Sequence, residues 1–133
     1  MNEIVVEREI GGRTLRIETG KIAKLATSAV VVTYGGTTCL CTCMHDKPRP
    51  GLDFFPMQVD YREKTSAAGK FPGGFRKREG APNEKEVLTM RMIDRPIRPL
   101  FPDASIADVQ LQCCVMSHDR AHASDVLSSV ATT

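Results

Sequence analysis

The residues from Asn83 to Pro102 read NEKEVLTMRMIDRPIRPLFP, and the fold can be worked out from this stretch. Asn83 is a good helix N-cap, and Glu86 three residues later completes the pattern of a capping box. A helix is therefore predicted to begin after Asn83 and to stop near Asp94, because Pro96 disfavours helical angles at the residue before it. The apolar residues of this helix are Val87, Leu88, Met92 and Ile93.

The end of the same stretch carries proline at every third residue, at Pro96, Pro99 and Pro102. Three residues per turn is the period of a polyproline II helix. We therefore expect a rigid, extended proline turn after the helix, with Arg95 and Arg98 on one edge. Guanidinium groups bind two phosphate oxygens at once, so both arginines are candidates for an anion site.

Upstream of the helix, the sequence is typical of strands joined by tight turns. Two hairpins are predicted, one turning at Gly11 and Gly12 and the other at Gly35 and Gly36. Their strands are Ile4–Val6, Thr14–Ile17, Ala29–Thr33 and Thr38–Met44.

Two further strands and a second helix complete the predicted elements. Phe54–Tyr61 is a strand in which Pro56 favours an edge position or a later start. Val109–Val115 alternates apolar and polar residues, which indicates a strand with one buried face. Ser124 or Asp125 is expected to cap the second helix.

The five cysteines are predicted to be free. Cys39, Cys41 and Cys43 recur at period two and share one face of a strand, where thiols pack as small apolar groups. Cys113 and Cys114 are adjacent and point to opposite faces. The odd number and the lack of CxxC spacing argue against a zinc or redox site.

The overall composition is that of one ordinary domain, with 133 residues, 41% of them apolar and 26% charged. No apolar run approaches the roughly 18 residues of a membrane span. The N-terminal residues MNEIVVEREIGG lack the basic and then apolar pattern of a secretory signal. These features predict no membrane association and a cytoplasmic location.

Positive charge is concentrated in residues 61–100, which hold ten Lys or Arg against five Asp or Glu. At the centre is PGGFRKREG, Pro72 to Gly80, called the basic loop below; it lies in the long aperiodic stretch Glu63–Ala81. Cations bind phosphates, and a single strand can also stack its bases on an aromatic ring. The loop therefore predicts a site for single-stranded nucleic acid, and the alternative is a mobile loop with incidental charge. The residues that carry this prediction are Phe75, Arg76, Lys77 and Arg78.

A second cationic group consists of Arg91, Arg95 and Arg98, joined to the basic loop by one short helix. We expect the two groups to line one concave surface. For Arg91 in particular, the alternative is an ion pair with an acid of the same helix. Those acids are Glu84, Glu86 and Asp94.

No complete active site is apparent. His118 and His122 have a spacing that could hold zinc on a helix, but the surrounding SHDRAHAS reads as a loop and lacks the HExxH pattern. The basic loop lacks the GxxxxGK[ST] pattern of a nucleotide-binding P-loop. Asp94 and Asp103 are isolated carboxylates, expected as cap or salt-bridge partners. The sequence thus predicts neither catalytic nor metal-ligating residues.

The segment FFPMQVDYREKTSAAGKFPGGFRKREGAPNEKEVLTMRMIDRPIRPLFP resembles the first ribonuclease PH-like domain of the bacterial polynucleotide phosphorylase family. The resemblance is dense over Asp53 to Pro102 and strongest in IDRPIRPLFP. ETGKIAKLATSAVVVTYGGTTCLCTC resembles the opening hairpins of the same domain, so about residues 3–130 are covered. The implied fold is α+β and ribonuclease PH-like, a sheet packed with helices, of which residues 1–133 would be the N-terminal portion, truncated at the C-terminal end.

This resemblance implies a ring-shaped homotrimer that degrades mRNA, as a single strand, processively from the 3′ end. Inorganic phosphate is the co-substrate that attacks the terminal phosphodiester and releases a nucleoside diphosphate, with Mg²⁺ as cofactor. The family's catalytic acids, lysine and phosphate-binding serines lie in its second ribonuclease PH-like domain. We therefore expect this segment to guide RNA, to build the trimer and to be inactive alone. RNA-degradation complex proteins are further expected partners.

The family's first domain also contributes a channel loop with two phenylalanines and two arginines, which guides RNA. Position by position, that motif falls on Phe75, Arg76, Lys77 and Arg78. Arg76 replaces the second phenylalanine and Lys77 the first arginine. One stacking platform is lost and positive charge is gained, so RNA passage should be more sensitive to salt.

Two alternatives remain open. The chain could be a free-standing, non-catalytic RNA-binding module. It could also be a single-domain ribonuclease PH or exosome-type subunit, although RPIRPLFP and the basic loop fit the polynucleotide phosphorylase family better.

Overall fold

A computed structural model describes residues 3–48, 51, 53–102 and 107–133. Asp103, one of the two isolated carboxylates of the sequence, lies outside these residues. The fold is α+β: a single six-stranded sheet in the order β1-β2-β3-β4-β6-β5 carries two α-helices. All neighbouring strands are antiparallel except β5 and β6, which are parallel.

The strands are β1 Ile4–Ile10, β2 Arg13–Thr19, β3 Ser28–Tyr34, β4 Thr37–Asp46, β5 Met57–Glu63 and β6 Asp108–Ser117. The helices are α1 Glu84–Ile97 and α2 Ser124–Thr132. The 3-10 turn Thr65–Ala68 precedes the basic loop, and the 3-10 turn Arg98–Leu100 follows α1. Within the described ranges, neither α-helix has the length and apolar character needed to cross a bilayer.

Both predicted hairpins are confirmed, with longer strands than expected. Gly11, Gly12 and Gly35 have φ angles of 58°, 76° and 60°, which side chains rarely adopt. Both predictions made from Pro56 are confirmed: β5 starts one residue after it, at Met57, and β5 is an edge strand of the sheet.

The cysteines form part of the core, as their spacing predicted. Cys39, Cys41 and Cys113 are buried against residues of both helices, whereas Cys114 on the other face of β6 is only half-buried. Burial raises the pKa of the Cys39 thiol to about 11. All five thiols are free, and those on the helix-covered face of the sheet serve as small apolar groups in the core.

The start of α1 is confirmed and its end is not. Asn83 and Glu86 form the capping box, but the helix continues through Pro96 to Ile97, and Arg98–Leu100 is a 3-10 turn instead of polyproline II. The reason is packing: Ile97 lies one turn after Ile93, and both are buried in the core. Pro96 faces solvent, so its ring and missing N–H are accommodated on the open side of the helix.

The buried face of α1 also differs from the predicted one. Of the four apolar residues named from the sequence, only Ile93 is buried; Val87, Leu88 and Met92 are exposed. The buried positions are Glu86, Thr89, Ile93 and Ile97. The carboxylate of Glu86 binds the end of β5, and this contact sets the rotation of the helix.

The second helix begins at Ser124, and its N-cap is Ala123. The prediction that Ser124 or Asp125 caps the helix is therefore wrong, since both lie inside it. The Ser124 hydroxyl is buried and lies 2.8 Å from the hydroxyl of Tyr61, so it joins α2 to β5 and is unavailable as a cap.

Replacing Glu86 with alanine is expected to lower the free energy of unfolding by about 2–3 kcal/mol. The change strands two backbone amides, those of Asn83 and Glu63, that its buried carboxylate now binds. Urea unfolding of the chain measures the loss. The matched control is Glu84→Ala, which removes an exposed carboxylate from the same turn and should cost about 0.3–1 kcal/mol. Equal losses in both variants would contradict the bridging role of Glu86.

Candidate functional site

The basic loop leaves the domain after β5 and returns at the start of α1, and these two points are joined directly. One carboxylate oxygen of Glu86 accepts from the amide of Glu63 at 2.8 Å, and the other accepts from the amide of Asn83 at 2.7 Å. Glu63 in turn accepts from Lys85 and from the Tyr61 hydroxyl, both at 2.7 Å. The loop therefore projects from a fixed base.

The tip of the loop stands clear of the domain. The Phe75 side chain is fully exposed, and a Cβ built on Gly73 or Gly74 would meet nothing within 4 Å. Gly74 has a φ of 83° and Lys77 one of 47°, so the chain turns through the left-handed region on both sides of the ring. The loop thus presents an aromatic ring that is open to solvent.

The three cations of the tip are exposed, and in the part of the chain that the structure describes none of them forms an ion pair. The acid that follows them, Glu79, turns back to the base of the loop. Its Oε1 accepts from the amide of Thr65 at 2.9 Å and from the Thr65 hydroxyl at 2.7 Å. These hydrogen bonds lower the pKa of the Glu79 carboxyl. The cations of Arg76, Lys77 and Arg78 remain available for an anionic ligand.

A cavity of about 430 Å³ lies beneath the base of the loop. Its lining includes four carboxylates but only two cations, Arg62 and Lys64. The strongly cationic surface therefore ends at the loop and does not continue into this cavity.

Of the second cationic group, Arg91 and Arg95 are exposed on α1. The alternative in which Arg91 pairs with Glu84, Glu86 or Asp94 is not observed among the described side chains. Arg91 lines a shallow groove with Pro82, where the loop rejoins the helix. No residue of the basic loop lines this groove, nor does Arg95 or Arg98, so the described residues show no concave surface shared by the two cationic groups.

Arg98 is partly exposed, but it is held by hydrogen bonds within the fold. It binds both oxygens of Asp94, at 2.7 and 3.0 Å, and donates to the carbonyls of Phe55 and Met57 at 3.2 and 3.1 Å. Asp94 is thus a salt-bridge partner, as predicted. The expected proline turn that would present Arg98 to a ligand does not form, and Arg98 instead ties the end of α1 to the start of β5. Its contact with RNA stays a prediction, as does that of Arg95.

His118 and His122 lie in the loop between β6 and α2, with a structural partner in Asp119. This carboxylate accepts from the Gly36 amide at 2.9 Å and the Thr37 hydroxyl at 3.0 Å, and it contacts the His122 ring. Over the described ranges, no group of three or more potential ligands could hold a metal ion. The network fastens the β3–β4 turn to the start of α2.

Sequence reasoning missed Thr65, Glu79 and Glu63 as residues that fasten the basic loop. The capping-box pattern identified Glu86, but it predicts only the bond to Asn83 and not the bond to the amide of Glu63. A single acid directly after a run of cations was the one available signal for Glu79, and it does not identify Thr65 as its partner.

Comparison with known proteins gives a consistent result. Residues 11–133 match the model of the 3′ exoribonuclease family, domain 1. The chain is 56% identical over 133 residues to a polyribonucleotide nucleotidyltransferase of Mesorhizobium japonicum and 51% identical over 130 residues to one of Rhodopirellula baltica. These matches cover 99% and 98% of this chain but only 19% and 17% of the two relatives. An archaeal exosome core chain shares the fold, with a TM-score of 0.58 and 16% identity over 96% of this chain and 47% of that one.

The substitution Arg98→Lys is expected to lower the free energy of unfolding by about 1 kcal/mol, because one ammonium cannot replace a fork that binds a carboxylate and two carbonyls. The half-exposed position of Arg98 limits the effect. Arg95→Lys, on the same turn but exposed, should change stability by less than about 0.5 kcal/mol. Denaturant unfolding of both variants measures the difference, and an unchanged midpoint for Arg98→Lys would contradict the structural role.

Proposed function

Because this chain belongs to the 3′ exoribonuclease family, as its domain 1, we propose that it is the RNA-guiding part of a polyribonucleotide nucleotidyltransferase. The relatives that bear this name are more than 50% identical to essentially the whole chain. The chain spans about a fifth of their length, so the activity proposed here is that of a longer protein.

A single observation carries the role of this segment: the basic loop presents a fully exposed ring and three cations that pair with no acid among the described residues, above a base held by hydrogen bonds. A single RNA strand offers both phosphates and unstacked base faces to such a loop. The cations grip successive phosphates without reading sequence, and Phe75 stacks on whichever base passes. This is the contact that a processive enzyme needs, because it must hold every sequence equally well.

The proposed reaction is phosphorolysis. An oxygen of inorganic phosphate bonds to the phosphorus of the terminal phosphodiester, the bond to the 3′ oxygen of the preceding nucleotide breaks, and a nucleoside diphosphate leaves. The shortened RNA keeps its 3′ oxygen, which gains a proton. The described residues bring no nucleophile, base or acid pair to the basic loop, so this chain's part is to bind and orient RNA.

Mg²⁺ is proposed as the cofactor of the whole enzyme, where it would offset the charge of the attacking phosphate. The residues described in this chain do not fit it, since no cluster of potential ligands is found among them. Its ligands are proposed to lie in a second domain of the same family. A homotrimer, a cytoplasmic location and contacts with RNA-degradation complex proteins complete the proposal.

Phosphorolysis of poly(A) is expected only from a protein that also carries the second ribonuclease PH-like domain. Release of ADP in the presence of inorganic phosphate, followed by chromatography, would be measured for this chain and for the longer protein, with a phosphate-free reaction as the control. Binding of RNA by both proteins with activity in the longer one alone supports the proposal. Binding without activity in either would favour a free-standing RNA-binding module, and activity of this chain alone would favour a single-domain phosphorolytic subunit.

The Phe75→Ala variant is expected to bind single-stranded RNA more weakly by a factor of about 5 to 150, the loss of roughly 1–3 kcal/mol of base stacking. Fluorescence anisotropy with a labelled oligoadenylate measures it. Phe54→Ala is the control. Phe54 is also exposed, but it precedes the start of β5, whereas the basic loop follows the end of this strand, so the variant should leave RNA affinity unchanged.

Salt dependence separates stacking from charge in the same assay. Lys77→Gly suits the positive φ at this position and removes one cation, so the slope of log K against log salt should fall by about 0.7. Phe75→Ala should leave the slope unchanged. If both phenylalanine variants bound alike, the stacking role would be wrong.

A further inference from the structure

We propose that Glu79 is a positioning residue: by closing the base of the basic loop on Thr65, it determines where Phe75 and the cations meet the RNA. The identity of the ligand rests on the proposed function, but the closure of the loop is a separate, structural claim. Glu79 itself touches no ligand in this proposal.

Thr65 holds both ends of the loop. Its carbonyl accepts from the amide of Lys70 at 3.1 Å, just before the loop begins, and its amide and hydroxyl donate to Glu79, just after the cations. The residues from 70 to 79 are thereby closed into a ring by one threonine. Without these bonds, the segment from Lys70 to Ala81 would be free to move.

Thr65 is itself a fixed point. It opens the 3-10 turn Thr65–Ala68, whose N-cap residue Lys64 supplies no side-chain hydrogen bond. Glu79 takes the role of this missing cap, because its carboxylate accepts a hydrogen bond from the amide of Thr65 at the start of the turn. The turn is attached to the sheet by the amide of His118, which donates to the carbonyl of Ala67 at 3.1 Å. The closure therefore anchors the loop to the end of β6.

The charge of Glu79 makes the proposal easy to distinguish from simple electrostatics. Glu79 is the only acid between Lys70 and Gly80, and it directly follows Arg78. If it acted on RNA through its charge alone, removing it would strengthen binding, because a negative charge beside the phosphates would be lost. If it acts by positioning, removing it weakens binding although the loop becomes more cationic.

Four variants of the chain test the proposal by RNA affinity and by hydrogen exchange of the amides of Thr65 and Lys70, the two that the closure holds. Glu79→Ala removes the acceptor and the charge, Glu79→Gln removes the charge but keeps an acceptor oxygen, and Thr65→Val removes only the hydroxyl. The control Glu84→Gln removes an exposed carboxylate at the start of α1.

Glu79→Ala is expected to weaken RNA binding by about threefold to tenfold, because RNA would then have to order a loop that the capping hydrogen bonds no longer hold. Thr65→Val should give a smaller loss, while Glu79→Gln and Glu84→Gln should bind within about twofold of the parent protein. The slope against salt should not change in Glu79→Ala, because the same cations still reach phosphate. Exchange of the Thr65 and Lys70 amides should quicken in Glu79→Ala and Thr65→Val only.

Tighter binding by Glu79→Ala, or by both Glu79 variants equally, would overturn the proposal in favour of a charge effect. Unchanged hydrogen exchange in Glu79→Ala would overturn it as well, whether or not the chain binds RNA. If exchange quickens as expected but neither Phe75→Ala nor Lys77→Gly alters RNA affinity, the RNA-guiding function fails while the closure of the loop stands.

Discussion

The buried carboxylate of Glu86 is the contact on which the rest of this structure depends. Its two oxygens bind the amide that ends β5 and the amide that begins α1. An unpaired carboxylate would be costly to bury, so the two elements are held in one relative position wherever the fold is intact. That position orients α1, places Ile93 and Ile97 in the core and sets the separation between the two ends of the long loop.

The cationic loop is available for a ligand because the nearby acids are used elsewhere. Glu63 binds Tyr61 and Lys85, Asp94 binds Arg98, and Glu79 binds Thr65. The positive excess of residues 61–100, moderate when averaged over the segment, is thereby concentrated at the loop tip. A local field of this kind attracts a polyanion from a distance and falls with salt, whereas the exposed ring adds a contact that salt does not screen.

The arginines of α1 show how one residue type takes different roles within a short distance. Arg98 forms the last link between α1 and β5, and its four hydrogen bonds are all internal. Arg91 and Arg95 are exposed on the same helix, and no such bond is formed by either within the part of the chain that the structure describes. Any guanidinium in this segment could suit a phosphate by its chemistry, so the difference arises from the acceptors that the fold places around each one.

The sequence by itself determined the hairpins at Gly11-Gly12 and Gly35-Gly36, the capped start of α1, the buried cysteines and the loop that carries Phe75. Each depends on neighbours along the chain, through turn geometry, capping or strand period. Tertiary structure decided the face of α1, its continuation through Pro96, the partners of Arg98 and the closure of Glu79 on Thr65. These features depend on contacts between residues far apart in the sequence, above all the contact of Glu86 with the end of β5. Local propensity cannot encode such contacts. In α1, the burial of Ile97 outweighs the preference of the residue before proline for non-helical angles.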